Sequence, residues 1–221
     1  MPSLSTCIIK ENEVVWAKGY GLFDIEHNKK ACENTIYAVA SISKTVTATA
    51  LMQLYEQDLF ELDDDINDYL NFSMRNPNYP DVAITIRMLL SHHSSLAEDP
   101  WWLHKEYPGD CPISFYPYLK EYLTPGGHEY SPEIWADCRP GSEYHYANMA
   151  YAIIGYLIEE ITGQKFYQYC KDNIFIPLNM SNTSFLFADI DKENLAIPYI
   201  YCSWGYEPCM HAGDADYPSG C

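Results

Sequence analysis

The run Ala40-Ser41-Ile42-Ser43-Lys44-Thr45-Val46-Thr47-Ala48-Thr49-Ala50-Leu51-Met52-Gln53-Leu54-Tyr55 decides the reading of this chain. Val46, Ala50, Leu51, Leu54 and Tyr55 recur at three- and four-residue steps, which predicts a helix over Ser43–Leu59. Ser41 stands at its start and Lys44 one turn later, so the two side chains share a face. A capping box would put Glu or Gln three residues after the serine. Here a lysine takes that place, at the end of the helix dipole that disfavours a cation. The small, uncharged residues that follow suggest a buried helix. Burial and the dipole both act against the charged ammonium, and a neutral lysine beside a serine hydroxyl can take its proton. The plain alternative is that Ser41 only caps the helix.

Outward from this helix, Cys7–Lys10 and Val14–Gly19 read as two strands joined by a turn at Glu11-Asn12-Glu13. Asp63-Asp64-Asp65 makes a polar loop. A short helix is expected near Ile86, and another over Phe115–Tyr122 within the Pro-, Gly- and Trp-rich stretch 94–145. Met149–Thr162 reads as an amphipathic helix stopped by Gly163, and Gln164–Asn173 as the next. After Phe187 the pattern reads as loop, so few strands are expected to flank the first hairpin, which is marginal alone.

Tyr146-Ala147-Asn148 precedes the Met149 helix and offers a second chemical element. A tyrosine near a lysine can relay protons to a leaving group, and an asparagine amide can hold a substrate carbonyl. Tyr69-Leu70-Asn71 has the same letters. Pro140-Gly141 upstream and an apolar helix downstream favour Tyr146, whereas Tyr69 reads as packing.

The 221 residues, 48% hydrophobic, suffice for one substantial core. A net charge of −18, from 31 acidic and 13 basic residues, argues against a nucleic-acid partner. No apolar run is long enough to span a membrane, and the first residues show no basic region and apolar stretch of a signal peptide. None of the eight cysteines forms a C-x-x-C pair. Cys170 reads as a buried thiol, and Cys202 and Cys209 could bond in an oxidising compartment. No metal is expected: His92-His93 are adjacent and read as a turn, and Asp63-Asp64-Asp65 lacks the glycine and terminal glutamate of a calcium loop. No cofactor is called for. Trp101-Trp102 reads equally as cleft lining or loop anchor.

Ala40-Ser41-Ile42-Ser43-Lys44-Thr45, Leu59-Phe60-Glu61-Leu62-Asp63-Asp64, Ile84-Thr85-Ile86-Arg87-Met88-Leu89-Leu90-Ser91-His92, Pro140-Gly141, Tyr146-Ala147-Asn148 and Pro177-Leu178-Asn179-Met180 occur in one order. Together they resemble the class C β-lactamase and penicillin-binding-protein group of serine hydrolases, from about Cys7 to Phe185. The resemblance implies an α+β fold of the β-lactamase/transpeptidase type. It is read as a single domain over 1–221, with the hairpin 7–19 in the α/β part and roughly 60–185 in the helical part. It also implies a serine acyl-enzyme acting on amide, β-lactam or ester carbonyls of a small molecule or peptide, as D-alanyl-D-alanine peptidases do. Ser41 would be the nucleophile, Lys44 its base, Tyr146 a catalytic proton relay and Asn148 a substrate contact. An extracytoplasmic location is implied with them. The rival readings are a sensor that is acylated without turnover and an inactive scaffold; Ser41, Lys44 and Tyr146 argue against the scaffold.

Two departures from that family stand out. Ser94-Ser95 replaces its usual Ser-Gly, expected to alter only a loop. Its third motif, Lys-Thr-Gly or His-x-Gly on a strand, has no good counterpart, since His211-Ala212-Gly213 lies in no strand pattern. The motif, the second oxyanion donor and the closing strands are therefore expected beyond Cys221. The incomplete sheet would expose an edge that invites self-association.

Overall fold

The computed structural model describes residues 1–97, 106–112, 114–209 and 212–214. Trp101, Trp102, His211 and Cys221 lie outside the described residues. Helices combine with small antiparallel sheets in an α+β arrangement.

Strands β1 (Ser3–Lys10) and β2 (Glu13–Asp24) form the opening hairpin, with β3 (Lys29–Lys30) on the far side of β2. Both strands run longer than expected, and the turn is two residues, not three. Glu11 and Asn12 both take positive φ, 54° and 65°. That backbone matches the twist of a two-residue hairpin loop. The register shifts by one residue between Ile8↔Trp16 and Ile9↔Val14, leaving Val15 as a bulge. Ile8, Ile9, Val14, Val15 and Trp16 are all exposed, and β1 is an edge. Among the described residues no face of the hairpin tip is buried.

Helix α1 (Ser43–Tyr55) is preceded by a 3-10 turn at Ala40–Ile42. It buries Lys44, Thr47, Ala50, Leu51 and Leu54. Thr45 and Thr49 hydroxyls donate to carbonyls of Ile42 and Thr45, each at 2.7 Å, so the threonines face the helix backbone rather than compete with it. Helix α2 (Ile86–Leu90) starts where Thr85 Oγ1 accepts from the Met88 N–H. Helix α3 spans Phe115–Leu123.

The central element is α4 (Asn148–Thr162). Every residue from Met149 to Ile158 is buried, so the helix is enclosed on all sides rather than amphipathic. Each such Ile or Leu adds about 1.5–3 kcal/mol by leaving water. Gly163 ends it at φ 69°, donating to the Glu159 carbonyl at 2.8 Å. The next helix departs from the expected Gln164–Asn173. It is α5 (Phe166–Cys170), which continues as one π-turn over Lys171–Phe175.

The stretch after Phe187, read as loop, in fact returns to the first sheet and makes strands of its own. Ile197 N–H donates to Phe23 O at 2.9 Å, and Ala196 N–H to Ile36 O at 2.8 Å. Phe23, Ala31 and Ala196 close a small apolar cluster there. Strands β5 (Tyr199–Cys202) and β6 (Gly205–Pro208) pair antiparallel. Cys202 stands at the turn end and Cys209 beyond the open end. About 3.3 Å per residue along the strand separates them by more than the ~7 Å a disulfide tolerates. The pairing contemplated from their spacing is therefore precluded. β7 (Ala212–Asp214) pairs with β4 (Glu106–Pro108), so the Ala212-Gly213 segment does lie in a short strand, contrary to the sequence reading. Among the described residues no helix is long and apolar enough to cross a membrane.

Candidate active site

The site forms where the start of α1 meets the start of α4. Ala40 holds φ 45°, a left-handed conformation that costs a non-glycine residue about 1–2 kcal/mol. It turns the chain so that Ser41 is exposed beside α1 while Lys44, one turn on, is only 6% exposed. Lys44 Nζ lies 3.0 Å from Ser41 Oγ. The Tyr146 hydroxyl lies 2.7 Å from the same oxygen. Lys44 Nζ also donates to Asn148 Oδ1 at 2.7 Å. It stands 4.9 Å from the Tyr146 ring centre and 5.7 Å from that of Tyr151. All four residues singled out from the sequence thus meet within one hydrogen-bonded group.

The second Tyr-x-Asn is elsewhere. The Tyr69 hydroxyl donates to Asp64, and Asn71 Nδ2 donates to the Tyr156 hydroxyl at 3.1 Å. Burial, with the Asp64 carboxylate, pushes the Tyr69 hydroxyl up to about 12. The acidic loop is equally committed. Asp63 takes a two-pronged ion pair from Arg87 at 2.7 and 2.8 Å, and Asp65 pairs with Arg75. The Arg87 hydrogen bond holds the Asp63 carboxyl below its ordinary value.

His92, read only as part of a turn, packs against the tyrosine of the site. It adopts φ 57°, and its ring centre lies 4.6 Å from that of Tyr146 and 5.3 Å from Tyr151. Its Nδ1 accepts from the Ala147 N–H at 3.3 Å, which requires that nitrogen unprotonated. Burial, then the nearby Lys44 charge, push His92 down to about 4, so the ring is neutral near pH 7. Two backbone bonds align the strand of chain leading to Tyr146 with this turn. Gly141 N–H donates to His93 O at 2.7 Å and His145 N–H to His92 O at 2.8 Å. In the sequence His92 stood out only as the end of the Ile84–His92 segment shared with the similar family, with no role attached.

The neighbouring Ser95 keeps φ 61°, a conformation glycine adopts freely. It is buried, and its Oγ accepts from Asn76 Nδ2 at 3.0 Å. The serine thus adds a polar anchor at a position where the similar family carries glycine.

The family model described as Beta-lactamase matches residues 1–208. Protein flp of Staphylococcus aureus strain N315 is 29% identical over 202 residues, covering 90% of this chain but 38% of its own length. The penicillin-binding protein homologue of Pyrococcus abyssi, described as octameric, superposes with a TM-score of 0.73 at 27% identity, over 99% of this chain and 52% of that one. EstCE1, described as a hydrolase with promiscuous acyltransferase activity, gives 0.78 at 24% identity, over 94% and 54%, and bears on the fold alone. The chain therefore spans between about two fifths and just over half of these relatives. On the match that runs through residues 1–208, it belongs to the Beta-lactamase family.

Proposed function

We propose that this chain carries the nucleophile, base and proton relay of a serine hydrolase that works through an acyl-enzyme on amide, β-lactam or ester carbonyls. The observation that carries the reading is the approach of Lys44 Nζ and the Tyr146 hydroxyl to one oxygen, Ser41 Oγ, at 3.0 and 2.7 Å. A nucleophile with a base in hydrogen-bond reach, and that base oriented by a third group, is the arrangement covalent catalysis needs. Asn148 Oδ1 is the orienting group for Lys44.

In the proposed cycle Lys44 takes the Ser41 proton as Oγ bonds to the carbonyl carbon. The ammonium so formed sits over the rings of Tyr146 and Tyr151, which favour a cation. The Ser41 N–H is one donor to the oxyanion. Tyr146 gives its proton to the leaving nitrogen or oxygen and regains one from Lys44. Water then attacks the ester carbonyl, returning the proton to Ser41 and freeing the acid. One oxyanion donor is worth ~100- to 1000-fold in rate, so activity depends strongly on a second.

A fluorescent penicillin and a fluorophosphonate are the probes. Mass should appear on the peptide containing Ser41 and be absent from Ser41→Ala. Release of the penicilloyl label with time supports a hydrolase; a penicilloyl label that never turns over supports the sensor reading instead, and the fluorophosphonate, whose adduct is permanent, reports only the nucleophile. Labelling that persists in Ser41→Ala would overturn both.

A further inference from the structure

The turn that delivers Tyr146 also gathers three metal-binding side chains that the acyl chemistry does not use. Cys138, Glu143 and His145 place one sulfur, one carboxylate oxygen and one imidazole nitrogen within 4.8 Å of one another. Their spacing matches no familiar metal motif, so nothing in the sequence pointed to them. Pro140-Gly141 folds the chain back on itself between the cysteine and the other two. Gly141 takes φ 89°, and Ser142 closes the turn by donating to Arg139 O through both its N–H, at 3.0 Å, and its Oγ, at 2.6 Å.

We propose that Cys138, Glu143 and His145 form a site for a borderline-soft transition-metal dication, with Zn²⁺ the best fit. The donor set selects the ion. Thiolate and imidazole together favour Zn²⁺, Co²⁺ and their neighbours over Mg²⁺ or Ca²⁺, which take oxygen ligands. Bonds of about 2.0–2.3 Å in a tetrahedron set donors roughly 3.3–3.8 Å apart. His145 Nε2 and a Glu143 oxygen already stand 3.6 Å apart. The group as a whole lies within 4.8 Å, so side-chain rotations that move a donor by about 1 Å close the rest of the triangle.

The surroundings suit an ion arriving from solvent. Cys138 is buried, whereas the His145 and Glu143 side chains are 36% and 66% exposed, which leaves an entry path and an open fourth position. A chain of net charge −18 draws dications toward it. The backbone under the site is already ordered: His145 N–H is held by His92 O and Gly141 N–H by His93 O. A bound ion would join Cys138 to His145 across the turn and brace the residue before Tyr146. This proposal stands apart from the acyl-enzyme reading, and its test does not read hydrolysis.

The 221-residue chain, stripped with chelator and kept reduced, is titrated with Co²⁺ while sulfur-to-cobalt charge-transfer absorption is followed. One equivalent should bind, Zn²⁺ should displace it, and amide exchange over residues 139–147 should slow. Cys138→Ser should abolish the charge-transfer band, and Glu143→Gln and His145→Gln should each weaken binding at least ~10-fold. A band that survives Cys138→Ser assigns the sulfur to one of the other seven cysteines and overturns the site. Should Cys138→Ser fail to fold, the variants of exposed Glu143 and half-buried His145 decide. Wild-type affinity in both refutes the site, and unchanged exchange on loading refutes the brace.

Discussion

The amide oxygen of Asn148 accepts from Lys44 Nζ at 2.7 Å, so the first residue of α4 holds the lysine of α1. The expected role of Asn148 was contact with substrate. Its observed partner is the lysine. Asn148→Ala should slow acylation of Ser41 roughly 10- to 100-fold, a part of the ~100- to 10,000-fold that a positioned proton-transfer group supplies. Asn148→Asp should also be slow, because a carboxylate there holds the ammonium and removes the base. Burst-phase acylation rates check this, and wild-type rates in both variants would show that Lys44 needs no such partner.

Tyr146→Phe keeps the ring against His92 and over Lys44 but removes the hydroxyl on Ser41 Oγ. Acylation should fall ~100-fold or more, with stability changed by no more than about 1 kcal/mol. Tyr69→Phe is the companion variant. Its hydroxyl is on Asp64, so it should lose about 1 kcal/mol in stability and nothing in acylation. Equal rate defects in the two variants would unseat Tyr146.

His92 sets a pH dependence of stability. Its folded value of about 4 lies below the ordinary 6.5. Between those values the unfolded chain binds the proton and the folded one does not. Stability should therefore fall as pH drops from about 6.5 to about 4, with no further loss from this residue below that. The Asp63 carboxyl, held below 3.8, acts only at lower pH still. Asn tolerates the positive φ at this position, so His92→Asn should melt with a flatter profile across that window. Parallel slopes for the two proteins would remove His92 as the cause.

Local pattern carried much of the fold. The periodicity of α1 and α4, the short helix near Ile86 and the Gly163 stop depend on neighbours within a turn, and each lies close to where the residues indicated. Elements whose partners are distant in sequence were not legible. β3 exists because it lies against β2, and residues 194–197 are ordered by hydrogen bonds to Phe23 and Ile36. Neither stretch has a period of its own. The π-turn after α5 likewise has no local signature.

For the site, the sequence by itself determined the Ser41–Lys44 pair, because a three-residue step on a helix puts both side chains on one face. It also offered two Tyr-x-Asn segments as their partner and favoured Tyr146 over Tyr69 from the turn before it and the apolar helix after it. Only the tertiary structure decided that Tyr146 and Asn148 meet Ser41 and Lys44, over 100 residues away, while Tyr69 turns to Asp64. It alone set a neutral His92 behind the tyrosine and drew Cys138 to His145. The physical reason is that spacing along a helix is fixed by backbone geometry. Contacts between α1, α4 and the His92 turn are fixed by which buried faces pack together, and no short stretch of sequence contains that information.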